Sequence, residues 1–428
     1  MELILPTLNS SINKWIWFAV LTVQMTISLF ERISFSPILE EMAKDLCPDD
    51  INGCDKKKMG FIKSFYMIMA IVSSPIGGIL GDRISRKYLL IIGLCIWSGF
   101  TFLMTFMTDY WPFLIVNGLS SVGVRVFMNL SSPNIGSLFD QEKLFLIYTI
   151  YFLSLPVGAG LGLIVPEAIT NLSGDWRTSL RITPGITIFN AIIIFILLSD
   201  PPREDERIKD EDPAGEDEGK KDEENEPAAS VWSDLKYLIS IKSFMLSVVG
   251  FVCKSSLGSV VGFWGSLLYK LSAEQYEDDH GSSLVAPSDV SKTLGLCHIF
   301  GGVAGLVTGS LLDYFQLLNY KYAPLLMGVS SLFSAPFMIA GCFIATTYII
   351  PSYVVYAVFA FSGRIVQPLG EQVFMGIILP SKRVFGMSLK TMTGSTFGSA
   401  ISPVIFGIIV DYINPTTSEV IFFIYLFH

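Results

Sequence analysis

Residues 77–87 read GGILGDRISRK, a short charged turn set between two long apolar runs. Asp82, Arg83, Arg86 and Lys87 place their charges where the runs on either side, 59–80 and 88–108, stop. Each run has about the 20 helical residues needed to cross a hydrocarbon core of about 30 Å. A tight turn between two helices at a membrane surface needs small residues where backbones approach, which Gly77, Gly78 and Gly81 provide. It also needs cations where lipid phosphates and helix C-termini are negative.

The rest of the chain agrees with a bilayer as solvent. Of 428 residues 51% are hydrophobic and only 16% charged, and the mean hydropathy is +0.55. A soluble domain of this length would need far more polar surface. Further apolar runs are expected to span near 14–38, 112–138, 144–169, 179–199, 242–269, 290–313, 322–346, 350–379 and 384–412, which makes eleven complete spans in all. A twelfth run begins at Glu419 and extends for about half the length of a span, so the last helix is expected to be incomplete or supplied by further sequence. The first run is too long and too well joined to a second span to be a cleaved signal peptide.

Residues 200–230 break this pattern. They hold 14 acids against 5 bases, a net of −9 that equals the formal charge of the whole chain. The acidity therefore belongs to one linker, expected to be disordered and cytoplasmic, and implies no nucleic-acid partner. The expected organisation is a six-helix bundle over 1–199, the linker over 200–230, and a second bundle over 231–428 with five complete spans and a partial twelfth. Gly78 and Asp82 at the end of the second span are echoed by Gly309 and Asp313 at the end of the eighth, as in duplicated transporter halves.

The ordered pattern G-x-L-G-D-R-x-x-R-K resembles the signature loop of the major facilitator superfamily. Gly78, Leu80, Gly81, Asp82, Arg83, Arg86 and Lys87 match, and Ser85 stands where many members have Gly. A second stretch narrows the likeness. Residues 155–162 (LPVGAGLG) and 174–185 (GDWRTSLRITPG) resemble the P-V-G-S-G-L-G and G-D-W-x-x-A-L-R-x-T-P-G runs of the Spinster family. The resemblance implies an all-α fold of two pseudo-symmetric six-helix bundles and a carrier of lysophospholipid, sphingosine or sphingosine phosphate working by alternating access, in several members coupled to protons. It also implies a multi-pass protein of the plasma membrane or an endosomal or lysosomal membrane, with a cytoplasmic N-terminus; Lys and Arg are spread over the loops of both sides and do not themselves decide the orientation.

Ionisable residues within spans mark functional sites by default. Glu31 and Arg32 fall deep in the first span where the family has Asp-Arg, and the resemblance makes the carboxylate a proton site. Burial opposes ionisation of a carboxyl group and a nearby cation favours it, so a helix movement there can load or release a proton. In the fourth span the chain departs from the family. Asn117 and Val124 replace an Arg and a Glu, and Arg125 is new. Arg125 would either pair with Glu31, giving a facilitator in place of a proton-driven carrier, or bind an anionic head group such as phosphate.

Arg181, Lys254, Arg364, Glu371 and Lys390 also lie in or near spans. Arg364 and Glu371, seven apart, share a helix face, either as a structural pair or as cavity lining. Trp264 matches a family Trp in the seventh helix, where packing is the commoner role. By resemblance Asp82, Arg83 and Arg86 would latch the cytoplasmic side, with Asp140 or Glu142 as partner. Cys47 and Cys54 fall in the first exterior loop and would bridge in an oxidising lumen. The glycine runs in the fifth and eleventh spans are expected to let the two halves approach closely; they are not phosphate loops, having no preceding strand and no Lys-Ser/Thr. No cofactor, no metal site and no enzyme chemistry is expected, since the histidines do not cluster and no nucleophile stands at a recognisable distance from a base. The alternatives to a lipid carrier are a facilitator of another small organic solute and a non-transporting membrane scaffold.

Overall fold

The computed structural model describes residues 10–48, 54–83, 85–139, 141–197, 231–280, 285–314, 341, 344, 348–378 and 383–413 of the chain. Side chains at 74–83 and 366–376, among others, lie outside that description, as do the acidic linker, nearly all of the expected ninth span, Asp140 and the run from Glu419.

Every regular element among the described residues is helical. The first half contains α1 (Ser10–Ser34), the short α2 (Leu39–Leu46), α3 (Lys56–Arg83), α4 (Arg86–Met104), α5 (Tyr110–Leu138), α6 (Gln141–Ser173), α7 (Trp176–Leu180) and α8 (Ile182–Leu197). The second contains α9 (Val231–Ser240), α10 (Lys242–His280), α11 (Val290–Tyr314), α12 (Ile349–Ile377), α13 (Arg383–Thr393) and α14 (Ser402–Ile413). A π-helical stretch, Gly394–Ala400, joins α13 to α14. Eight helical stretches among the described residues are long and apolar enough to cross a bilayer, one of them formed by α7 and α8 together. This is a multi-pass integral membrane protein.

The helix ends follow from local chemistry. Gly174 closes α6 with φ of 71°, a left-handed conformation that costs glycine nothing. Asp175 then caps α7, its side chain accepting from the Arg177 amide at 3.0 Å. At the charged turn, Lys87 donates to the Phe195 carbonyl at 3.1 Å, so a cation of the motif meets the negative C-terminal end of α8. The expected end of the seventh span at 269 is too early. α10 continues to His280, because Ser-Ala-Glu-Gln-Tyr-Glu contains no helix breaker before Gly281.

Within the first half, α1 packs on α6 and α8, and α5 packs on α3 and α4; in the second, α11 packs on α12 and α10 on the π stretch. The halves meet where α6 touches α11 and where α3 touches α14 and the π stretch. Glycine makes these approaches close. A Cβ on Gly60 would stand 2.5 Å from the Pro403 carbonyl oxygen, one on Gly407 2.6 Å from that of Lys56, and one on Gly160 2.6 Å from that of Gly295. The expectation that the whole glycine runs join the halves is only partly met. Gly158 and Gly162 press on α1 of their own half, and Gly394 and Gly398 on α10 of theirs. The π stretch frees carbonyls from regular helical bonding, and they accept from other helices: Ser259 donates to Ser399 at 3.0 Å, and Ser64 of α3 donates to Ala400.

Candidate functional site

Between the halves lies a cavity of about 450 Å³, within the size range of ligand sites. Much of its lining is apolar, with Met25, Leu29 and Ile33 from α1, Phe152 and Leu155 from α6, and Phe359 from α12. Four cations reach it: Arg32 from α1, Lys63 from α3, Lys254 from α10 and Arg364 from α12, and among the described residues no carboxylate lines it. His298 and Tyr356 complete the second-half wall, His298 Nδ1 lying 3.2 Å from the Tyr356 hydroxyl.

Glu31 is 5% exposed and faces away from this cavity. Successive helix residues are rotated by about 100°, so Arg32 points into the cavity while Glu31 points to α4. There its carboxylate accepts from Trp97 Nε1 at 2.8 Å and from Thr101 Oγ1 at 3.0 Å, with the Thr183 hydroxyl beside it. Glu31 also borders a void of about 10 Å³, room for one water, shared with Arg32, Lys63, Tyr66 and Asn117. The Glu31–Arg125 salt bridge expected as one alternative is not formed. Glu31 is committed to α4, and Arg125 on α5 instead faces Tyr66 and repels Arg32.

Lys63 is a site residue that no motif marks. It is 5% exposed, donates to the Arg32 carbonyl at 3.0 Å, and lines both the cavity and the small void. A lysine inside the start of the apolar run 59–80 is the signal by which the sequence could have shown it.

Other expected site residues are placed elsewhere. Trp264 is buried away from the cavity, its Nε1 donating to Pro403 at 3.3 Å while its ring packs against Phe263 and Phe406, so it is packing between α10 and α14. Arg181 is exposed, 3.8 Å from Asp175 and over the Phe106 ring. It belongs to a surface clasp in which Trp176 Nε1 donates to Asp45 at 3.1 Å, Arg177 pairs with Asp45, and Arg177 donates to Met107 at 2.8 Å. The GDWR run is thus structural. Lys390 is buried over the Phe251 ring. Of the gating motif, Gly78, Gly81, Asp82 and Arg83 fall in α3 with side chains outside the description, as is that of Glu371, while Arg86 opens α4.

The clasp shares one face of the molecule with a disulfide joining Cys47 and Cys54, Cα atoms 5.0 Å apart. The halves are sealed just beneath this face. Lys270 of α10 is half-buried; it pairs with Glu167 of α6 at 2.5 Å and donates to the Pro37 carbonyl at 2.9 Å. The Ser291 hydroxyl reaches Glu167 and lies 2.5 Å from that of Ser266, whose amide donates to Ser36 at 3.3 Å. Both halves contribute to this seal.

A two-bundle helical membrane protein with a cavity between its halves and a seal at one face has the architecture of a facilitator-type carrier. The chain belongs to the Major Facilitator Superfamily, whose model matches residues 16–403. Among its curated relatives are protein spinster of Drosophila melanogaster, 25% identical over 97% of this chain and 66% of that protein's length, and the sphingosine-1-phosphate transporter SPNS2 of Mus musculus, 25% identical over 94% of this chain and 70% of the relative. The chain thus spans just under two thirds of the Drosophila protein. A crystal structure of a bacterial homolog of the human lysosomal transporter Spinster, inward-facing and unoccupied, shares the fold with a TM-score of 0.69 at 16% identity, covering 93% of this chain and 83% of that one. The nucleoside transporter NupG D323A mutant shares it too, with a TM-score of 0.67 at 14% identity, covering 95% of this chain and 96% of that one.

Proposed function

We propose that this chain is a secondary transporter, not an enzyme, which carries a single-chain amphiphile of lysolipid or sphingolipid type across its membrane by alternating access. The observation that carries the reading is the cavity of about 450 Å³ between the halves, lined by apolar side chains and by cations from both of them. A lysolipid or sphingolipid is amphiphilic in the same sense. A scaffold with no carrier role would have no need to keep such a space open between its halves, since filling it would add packing. The nucleoside carrier of like fold shows that fold leaves the substrate open, and the Spinster relatives favour the lipid.

In this reading the structure is closed on the disulfide face, and transport requires the Glu167–Lys270 seal to part. On the opposite face Asp82, Arg83 and Arg86 would form the second latch, with Asp140 as partner. Glu31 is the group that would carry a proton, held by neutral donors on α4 and not by a fixed cation.

Reconstitution into vesicles tests this. Uptake of labelled lysophosphatidylcholine, sphingosine and sphingosine phosphate is measured under several pH gradients, for the native chain and Glu31→Gln. Uptake that follows the gradient and is lost in Glu31→Gln is the expected result. Saturable uptake indifferent to pH would make the chain a facilitator, and no uptake of any amphiphile would overturn the lipid-carrier reading.

A further inference from the structure

The small void beside Glu31 carries an excess of positive charge. It is bounded by Arg32 of α1, Lys63 and Tyr66 of α3 and Asn117 of α5, and Phe263 of α10 closes it from the second half. Arg32 repels Lys63, and Arg125, about two turns along α5 from Asn117, repels Arg32 as well. Among the described residues none of these three cations pairs with a carboxylate. Lys63 donates to the Arg32 carbonyl at 3.0 Å, a group without net charge, and Arg125 faces Tyr66. Glu31 also borders the void, yet its carboxylate takes its hydrogen bonds from Trp97 and Thr101 of α4. Like charges held out of water need an opposite charge beside them. A water molecule would fill the space and leave the charges as they are.

We infer that this void is a binding site for a single halide ion, chloride in ordinary salt, held by the Lys63 ammonium, the Arg32 guanidinium and the Asn117 amide. Its volume of about 10 Å³ admits one particle of about water size. A chloride ion is only slightly larger, and the long side chains of Lys63 and Arg32 can yield that much. Sulfate, phosphate and carboxylate carry several oxygens each and do not fit. The donors suit an anion: Lys63 has two N–H groups left after the Arg32 carbonyl, and the Asn117 amide can turn its NH₂ inward. Glu31 sets a condition, because an ionised carboxylate across the void would repel the ion. The halide therefore binds together with a proton on Glu31, and each favours the other by reciprocity. The groups facing Glu31 from other helices are Trp97 and Thr101 of α4, Thr183 of α8 and Tyr66 of α3; the cations around it are Arg32, Lys63 and Arg125. Lys63 also lines the large cavity, so a halide in the void would fix the position from which that ammonium faces the carried molecule. The inference does not depend on which molecule that is.

The test is binding of radiolabelled chloride to the purified full-length chain in nanodiscs, at fixed ionic strength with gluconate as the balancing anion. Saturable binding of a single ion is expected, displaced by bromide and not by sulfate or phosphate, and tighter at acid than at neutral pH. Chloride should also raise the melting temperature above its value in gluconate. Lys63→Gln should weaken binding about tenfold or more, as loss of one member of a buried charge pair does. Asn117→Asp nearly keeps the shape of the side chain and places a carboxylate in the void. It should abolish chloride binding, raise the melting temperature in gluconate and remove the difference between the two salts, a result that mere loss of packing does not produce. Equal melting temperatures of the parent chain in both salts, with no saturable chloride binding, would give the void to water and overturn the inference. Displacement by sulfate or phosphate as readily as by bromide, or binding undiminished in both variants, would place the ion in the larger cavity and overturn it equally. Transport of an amphiphile is measured separately, so none of these outcomes decides the carrier reading.

Discussion

Removing the Glu167 carboxylate should unlatch the disulfide face. The side chains of Glu167 and Lys270 are 8% and 15% exposed, and the pair joins α6 of one half to α10 of the other. Deleting one partner of a buried pair costs about 3–5 kcal/mol. In Glu167→Gln the Lys270 ammonium keeps the Pro37 carbonyl and its residual exposure, so roughly half of that, about 2 kcal/mol, is expected. When the halves part, both groups meet water, so the loss falls on the closed state alone and moves the equilibrium toward opening by about 30-fold. Leu294 is 1% exposed and lines the cavity. With Cys95, Cys253, Cys297 and Cys342 changed to Ser, a Leu294→Cys reporter should react with a membrane-impermeant maleimide, supplied only on the disulfide face, about 30 times faster in the Glu167→Gln background. The double change Glu167→Gln with Lys270→Met removes both charges and should fall between the two. A rate within twofold of the parent in both backgrounds would show that the pair does not hold the face closed.

Two further outcomes concern packing, a third the disulfide and a fourth the surface clasp. Gly123→Ala places a Cβ 2.5 Å from the Trp97 amide nitrogen, within one half and on the helix that holds Glu31. It should cost about 1–3 kcal/mol of stability in thermal unfolding and impair uptake. Gly160→Val acts between halves, where a Cβ meets the Gly295 carbonyl oxygen at 2.6 Å; it should leave each bundle folded yet raise maleimide access from the disulfide face, and a lowered melting temperature with unchanged access would contradict that. Cys47→Ser with Cys54→Ser opens a loop of seven-residue separation, worth about 2.5 kcal/mol by chain entropy, read as a fall in melting temperature with uptake retained. Arg181→Ala removes only a surface pair whose side chains are 41% and 40% exposed; it should change stability by at most about 1 kcal/mol and uptake not at all.

Much of the fold is legible because the bilayer imposes a single length on every crossing. The limits read from apolar runs, such as 88–108 and 112–138, fall within a few residues of α4 at Arg86–Met104 and α5 at Tyr110–Leu138. Hydropathy measures lipid contact, however, and not helix. It therefore ends the seventh span at 269, where polar residues begin, although the helix runs on to His280 with Lys270 paired in the seal. It also gives no sign of the π stretch Gly394–Ala400, which depends on partners from α3 and α10 that are distant in the chain.

The site is legible in its residue types and not in their pairings. Glu31 and Arg32 stand out together because both are costly in a span, yet adjacent helix positions face different neighbours, and the structure gives one to α4 and the other to the cavity. The same geometry explains why Arg125 does not replace the family's missing partners: Glu31 already holds two donors from α4, and a cation on α5 facing Tyr66 would have to displace them. Trp264 and Arg181 match family motifs, and both hold helices or loops in place. Lys63, by contrast, belongs to no motif and touches both chambers, the cavity on one side and the void beside Glu31 on the other. A movement of Lys63 toward the cavity would pull on its bond to the Arg32 carbonyl, the residue next to Glu31. The two chambers would then be coupled through one side chain, and Lys63→Gln should lower both the rate and the pH dependence of uptake. A lower rate with the pH dependence intact would show that the two chambers work independently.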